Sequence, residues 1–271
     1  MKTKKKGPAN PKKHDNCFKW LLSSFTVAFF DFFFENLEIH DFESLDKEFI
    51  KKFEVLKESI KGDLFLVMQV TIDGKPWEIV ILIELKSKRE DVRKQIREYF
   101  HYCGLLRPCP VWCIVLYTDD AEWRKPPPNS FPLAYHSKTG IIHLPYDIIK
   151  LKGHKSADLI KHRSLLVKLL ALKANDAGCD RKELIREIYR AILEDADELT
   201  NDQIRLSFRF VKYYSQLPEP EVEELKEEFD MTFVADTITE AIQHEAGLKG
   251  KLEMLESFHK RGPFIASVIG T

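Results

Sequence analysis

The sequence predicts an α/β protein, a mixed sheet flanked by helices and followed by an all-helical region. Three observations carry this expectation. Two apolar runs, at residues 63–71 and 77–85, flank Asp73-Gly74-Lys75, the pattern of a hairpin. A third run, Val111-Trp-Cys-Ile-Val-Leu-Tyr117, is nearly all apolar, as a strand covered on both faces must be. Between the second and third runs, Val92, Ile96, Tyr99, Phe100 and Cys103 recur at helical spacing. A crossover helix there delivers the third strand parallel to the second.

Taken in order, the chain opens with Lys2, Lys4, Lys5, Lys6, Lys12 and Lys13 among Gly7, Pro8 and Pro11, which reads as a disordered basic tail over 1–13. Asp15 is positioned to cap a first helix, in which Phe18, Leu21, Leu22, Phe25, Phe29, Phe32 and Phe33 recur. Residues 44–59 are weakly amphipathic, irregular or helical. Residues 88–106 form the crossover helix, which Gly104 is placed to end. Arg124-Lys-Pro-Pro-Pro-Asn129 is a loop, and residues 131–136 and 140–144 make a short hairpin around Lys138-Thr139-Gly140. From about residue 150 the pattern becomes charged and helical, over 156–177, 180–198, 201–216 and 219–246, with caps at Asp180 and Thr200. The expected divisions are therefore 1–13, an α/β domain over 14–150, a helical region over 151–246 and a mobile tail over 247–271.

At 271 residues, with 44% hydrophobic residues and 19 Phe, the chain is long enough to bury a large core. Its net charge of −1 excludes a global polycation, so any phosphate-binding surface must be local. Five cysteines, an odd number without a secreted framework, point to a reducing compartment. The basic start leads into His14-Asp15-Asn16, so no signal peptide is expected. The apolar stretch over 20–34 is interrupted by Ser23, Ser24, Thr26 and Asp31 and is shorter than the ~20 residues of a bilayer span. A cytoplasmic protein with no membrane partner is expected.

The chemistry is concentrated between residues 62 and 99. Asp63 opens one apolar run, and Glu84-Leu85-Lys86 closes the next. Residues two apart in a strand share a face, so Glu84 and Lys86 point together while Leu85 turns to the core. Hairpin pairing brings Asp63 to the same end of the sheet. Two carboxylates beside an ammonium group suit a hard divalent cation, Mg²⁺ or Mn²⁺, held by Asp63, Glu84 and the backbone carbonyl of Leu85. Lys86 would orient or deprotonate the attacking water, or offset developing charge. Glu35 and Asp31 are candidates for a third carboxylate. The chain has no GxxxxGK[ST], GxSxG or HExxH pattern, which leaves phosphate-loop, serine-hydrolase and zincin chemistry without support.

Asp63…Glu84-x-Lys86 resembles the signature of the PD-(D/E)XK nuclease superfamily. Gln95-Ile-Arg-Glu-Tyr99 resembles the Q-x-x-x-Y element on the following helix of its RecB-like members, and its spacing puts Gln95 and Tyr99 on one helical face. His14-Asp15-Asn-Cys-Phe18-Lys19-Trp-Leu21-Leu22 is similar to the opening of the Rpn family (recombination-promoting nuclease, transposase-like). Gly62-Asp63-Leu64, Pro110 to Tyr117, Met231-Thr232 and the Glu245, Gly247 and Gly250 stretch resemble later parts of that family. Many of its members read Glu-His-Gln-Ser where this chain has Glu84-Leu85-Lys86-Ser87.

The resemblance implies a restriction-endonuclease-like fold and a metal-dependent DNA endonuclease, linked to recombination or mobile elements. Asp63, Glu84 and Lys86 would be catalytic, with Gln95, Tyr99 and His14 assisting substrate or active-site side chains. DNA is the implied partner, and a homodimer would suit double-strand cutting. The competing expectation is a catalytically silent nucleic-acid-binding or scaffolding protein on the same fold.

Overall fold

The computed structural model describes residues 11–34, 37–45 and 64–229, and only the backbone of residues 11–16. Helix α1 runs Pro11–Ser24 and α2 runs Thr26–Phe33. Pro at the first helical position is favourable, because its missing N–H has no partner to lose there. His14 and Asp15 therefore lie inside α1, and Asp15 is not its cap. The start is about one turn earlier than the sequence pattern implies, so residues 11–13 belong to the helix and not to the tail. The expected single apolar helix is broken near Phe25. There Thr26 Oγ1 donates to the carbonyls of Leu22 and Ser23, and Ser23 Oγ to that of Lys19, competing with the backbone ladder.

Three strands follow: β1 at Glu38–Ser44, β2 at Leu64–Ile72 and β3 at Lys75–Lys86. Strands β2 and β3 pair antiparallel from Leu64 opposite Ile83 to Ile72 opposite Lys75. Their turn places Asp73 at φ 51° and Gly74 at φ 72°, the two left-handed residues that a tight Asp-Gly hairpin requires. Strand β1 pairs antiparallel with β2 along the sheet edge. It has no apolar run, and its charged Glu38, Asp41 and Glu43 keep an edge strand from recruiting another.

Helix α3, Arg93–Leu106, then crosses to β4, Val111–Tyr117, which lies parallel to β3. Gly104 does not end this helix; the backbone runs one turn-fragment further, to an Arg107 cap, with Gly104 on the open surface. Strands β5, Ser130–His136, and β6, Gly140–Pro145, form a separate hairpin. Strand β7, Asp147–Lys150, absent from the sequence expectation, returns to the sheet parallel to β4. The sheet order is β1-β2-β3-β4-β7.

Alternation along β3 decides what each face buries. Val80, Leu82, Val115 and Tyr117 face α3, where Ile96, Tyr99 and Cys103 complete that core. The opposite face carries Trp112, against which the rings of Phe30 and Phe34 from the α2 end pack at 5.7 and 4.5 Å. Glu84 and Lys86 share the α3 face by the same parity.

Past β7 the described residues are helical: α4 at Ser156–Leu159, α5 at Leu165–Leu170, α6 at Arg181–Glu194, α7 at Asn201–Tyr214 and α8 at Glu219–Glu228. Asp180 caps α6 through the Lys182 N–H, and Thr200 with Gln203 forms a capping box on α7. The border expected near residue 150 does not divide the fold. One compact unit spans Met1–Val222 and a second Glu223–Thr271. Phe18 of α1 meets Phe210 and Tyr214 of α7 at 5.1 and 5.5 Å, so the helical region packs onto α1 within the first unit. No described helix is long and apolar enough to cross a membrane.

Candidate active site

The parallel strands β3, β4 and β7 end together, and their register sets Lys86, Tyr117 and Lys150 side by side. In sheets of this kind, sites form at the carboxyl ends of strands, where loops diverge. Glu84 lies one pleat below Lys86. It is 1% exposed, although carboxylates are seldom so deeply buried without a function or a full set of partners. Its Oε1 sits 2.7 Å from Lys86 Nζ. Its Oε2 is buried and accepts no hydrogen bond from the described residues.

Lys86 is held on three sides. Glu84 Oε1 and Glu90 Oε1 each lie 2.7 Å from Nζ, and Nζ donates to Gln95 Oε1 at 2.9 Å. An ammonium group has three donors, so this set uses all of them. Gln95 Nε2 in turn donates to Tyr99 Oη at 3.2 Å. The amide orientation follows from charge, because the opposite one would turn an NH₂ group on the ammonium. Burial works against the charge on Lys86, but the carboxylates of Glu84 and then Glu90 outweigh it and hold its pKa well above that of a free lysine. Lys86 is thus a fixed cation rather than a base, able to orient water or offset charge but poorly suited to deprotonate it.

The structure brings Glu84, Lys86, Gln95 and Tyr99 into one chain of contacts. Leu85 turns its side chain to the opposite face. Lys86 O accepts from Thr118 N and Val80 N donates to Pro110 O, so even-numbered residues of β3 bond to β4. The carbonyl of Leu85 therefore aims to the β2 side. Asp63 and Glu35 lie outside the described residues, as does the side chain of His14. Met231, Thr232, Glu245, Gly247 and Gly250 lie outside them too. Asp31 is exposed on α2, the helix that packs on the other side of the sheet, and it does not join the cluster.

Neither a family model, nor a curated protein, nor a solved structure matches this chain. The site must be read from its own chemistry. Among the described residues no group of three or more His, Cys, Asp or Glu is arranged to hold a metal ion. The cluster nonetheless contains oxygen atoms of the kind a hard cation takes. A buried carboxylate oxygen without a donor is costly, and a hard cation is the partner that would relieve it. Glu84 Oε2 is such an atom, and the Leu85 carbonyl adjoins it in sequence.

Two parts of the site escaped the sequence reading. Glu90, half exposed, is the second carboxylate on Lys86, and its i+4 spacing was the signal. Asp119 is buried just beyond β4 and pairs with Lys150 at 2.5 Å, while Trp123 Nε1 and the Ala121 N–H donate to its Oδ1 at 3.2 and 3.1 Å. Lys150 also lies 4.5 Å from the centre of the Trp123 ring, whose edge meets Tyr117. This pair pins the loop after β4 over the strand ends. Burial lowers the Lys150 pKa, opposed by Asp119.

Proposed function

We propose that the protein is a metal-dependent DNA endonuclease of restriction-endonuclease-like fold, related to the Rpn nucleases of the PD-(D/E)XK superfamily. The observation that carries the reading is the unpartnered, buried Glu84 Oε2 beside a lysine whose position is fixed by Gln95. The order helix, three-strand meander, crossover helix and parallel strand supports the same assignment. The cluster joins the acid-x-Lys strand to the Q-x-x-x-Y helix.

In this reading Asp63, Glu84 Oε2 and the Leu85 carbonyl would hold Mg²⁺ or Mn²⁺. The ion supplies charge relief at the phosphate and a more acidic water. Lys86 would supply a positive charge at the attacked phosphate from a largely buried position, where bulk water screens it less. Gln95 and Tyr99 keep Lys86 on the α3 face and cost no reorganisation when substrate arrives. His14 is assigned a supporting role, and Glu35 remains the candidate third carboxylate. Five unpaired cysteines accord with a cytoplasmic location, and a homodimer is the proposed route to double-strand cutting.

The saturation of Lys86 by Glu84, Glu90 and Gln95 favours a second reading, a silent DNA-binding or scaffolding protein. The two separate on one assay. With Mg²⁺, purified protein is expected to nick supercoiled plasmid, and Glu84→Ala, Asp63→Ala and Lys86→Ala each to lower the rate at least ~100-fold with unchanged circular dichroism. Gel-shift binding with no cleavage in Mg²⁺ or Mn²⁺ would establish the silent reading instead.

A further inference from the structure

Past Asp119, Asp120 and Glu122, which follow β4 directly, the chain runs without an acid until Asp147. Residues 123–146 contain no Asp or Glu, although the whole chain has 43 of them against 42 Lys and Arg. The same stretch holds Arg124, Lys125, His136, Lys138 and His143. It is also the stretch that forms the β5–β6 hairpin. The hairpin is anchored at its base, where Phe131 is buried and its ring lies 5.8 Å from Phe100 of α3. Toward the tip it leaves the body. Tyr135 is 73% exposed and its cross-strand partner Ile141 57%. A lone two-stranded ribbon is marginal in water, and bare apolar residues at its tip add nothing to its own stability.

The ribbon stands beside α3. Arg93, Lys94, Arg97, Phe131, Pro132 and Asp91 line a cleft of about 360 Å³ between the helix and the hairpin base. Arg93 and Lys94 occupy the first turn of α3, which has no acidic residue. Cations there oppose the helix dipole, so the helix itself does not favour them. Asp91, the one acid of the cleft, is paired with Arg93 at 2.6 Å. The same first turns of α3 present Gln95 to Lys86 and Tyr99 to Gln95. A polyanion lying over Arg93, Lys94 and Arg97 would therefore pass from the Glu84–Lys86 cluster to the hairpin.

We infer that the β5–β6 hairpin is an arm that enters a groove of double-stranded DNA, Tyr135 and Ile141 pressing on the base steps while Arg93, Lys94 and Arg97 hold neighbouring phosphates. The dimensions agree. From Phe131 to His136 the strand reaches about 15 Å, and a major groove about 12 Å wide and 8.5 Å deep admits a two-stranded ribbon. Apolar wedges that unstack a base step are known from minor-groove binders, and 2-aminopurine in the duplex tests whether Tyr135 and Ile141 act in that way. A single strand is the less suitable occupant, because it is taken along a groove lined with aromatic platforms, whereas Tyr135 stands on a protruding ribbon opposite an aliphatic. The placement of the arm rests on the nuclease reading of the nearby cluster, but its test does not.

The test uses the full chain carrying Lys86→Ala, without divalent metal, so that nothing is cut. Fluorescence anisotropy compares a labelled 30-base-pair duplex with its single strand, and a 2-aminopurine in the duplex reports unstacking. Adding Tyr135→Ala and Ile141→Ala is expected to weaken duplex binding at least ~10-fold, to remove the 2-aminopurine signal and to leave single-strand binding within ~2-fold. Adding Arg93→Ala, Lys94→Ala and Arg97→Ala is expected to flatten the salt dependence by up to ~0.9 in log–log slope per lost phosphate contact; Arg205→Ala on α7 serves as the control that leaves it unchanged. Unchanged duplex affinity in the tip variant, or equal loss on single strands, would overturn the inference. So would sedimentation showing a dimer that the tip variant dissolves, which would give the arm to a second copy. Intact arm-dependent binding in this background, with no metal-dependent cleavage by the parent protein, would instead remove the nuclease reading and leave the arm.

Discussion

In the proposed reading Glu84 trades stability for chemistry. Its buried Oε2 lacks a donor, and such an atom costs about 1–3 kcal/mol. Glu84→Gln removes the charge while keeping the volume, and Glu90 remains to pair with Lys86. In metal-free buffer the variant is expected to lose cleavage and to melt below the parent, because the buried Glu84–Lys86 ion pair is lost along with the strain at Oε2. Mn²⁺ is expected to raise the melting temperature of the parent and not of the variant, which differential scanning fluorimetry would read. Glu90 and Gln95 separate in the same way. Glu90 is half exposed and can swing off Lys86 when a phosphate arrives, so Glu90→Ala should keep cleavage within a few-fold. Gln95→Ala removes the group that orients the lysine and should lower kcat by about 10–100-fold with a smaller effect on KM. Equal losses in the two variants would show that Gln95 has no special hold on Lys86.

Among the elements, the ones legible in the sequence have strong local signals. The hairpin β2–β3 follows from two apolar runs about Asp73-Gly74, and β4 from an unbroken apolar run. The caps at Asp180 and Thr200 were legible because a short polar side chain precedes a periodic helix. Strands β1 and β7 were not, because β1 lacks an apolar run and β7 is only four residues long, and each is a strand by virtue of the neighbour it pairs with. The join between the α/β part and the helices was misread for a related reason. Phe18 and Phe210 are far apart in sequence, and only the fold brings their rings together. Of the site, the Glu84–Lys86 face and the Gln95–Tyr99 face follow from periodicity, whereas Asp119 and Lys150 meet through the parallel pairing of β4 with β7. Arg181 of α6 is a further element-scale tie. It donates to the carbonyls of Leu172, Tyr214 and Ser215, binding α6 to the end of α7. Arg181→Ala leaves these carbonyls without their donor and is expected to cost about 2–4 kcal/mol, against about 1 kcal/mol for Thr200→Ala, both by urea denaturation. A loss below that of the cap would mean water replaces the guanidinium.

For the molecule as a whole, the buried thiols set an alkaline limit. Burial pushes Cys17 up to about 11, with Arg209 opposing, and Cys113 up to about 12. An unfolded thiol ionises nearer 8.5. Because the folded values are the higher ones, the stabilisation is complete below the unfolded pKa and is lost as pH rises toward the folded values. Each thiol is expected to remove about 1.4 kcal/mol per pH unit across that window. Cys113→Ala should be less stable at pH 7 yet lose stability less steeply between pH 9 and 11; parallel curves would contradict the assignment. The proposed activity requires the unpaired Glu84 oxygen to be a metal ligand. The most direct measurement is an anomalous difference map from crystals grown with Mn²⁺. A peak about 2.1 Å from Glu84 Oε2, shared with the carboxylate of Asp63 and absent in Glu84→Gln, is the predicted result. A map with no peak at Glu84 while the protein still cleaves DNA would contradict it.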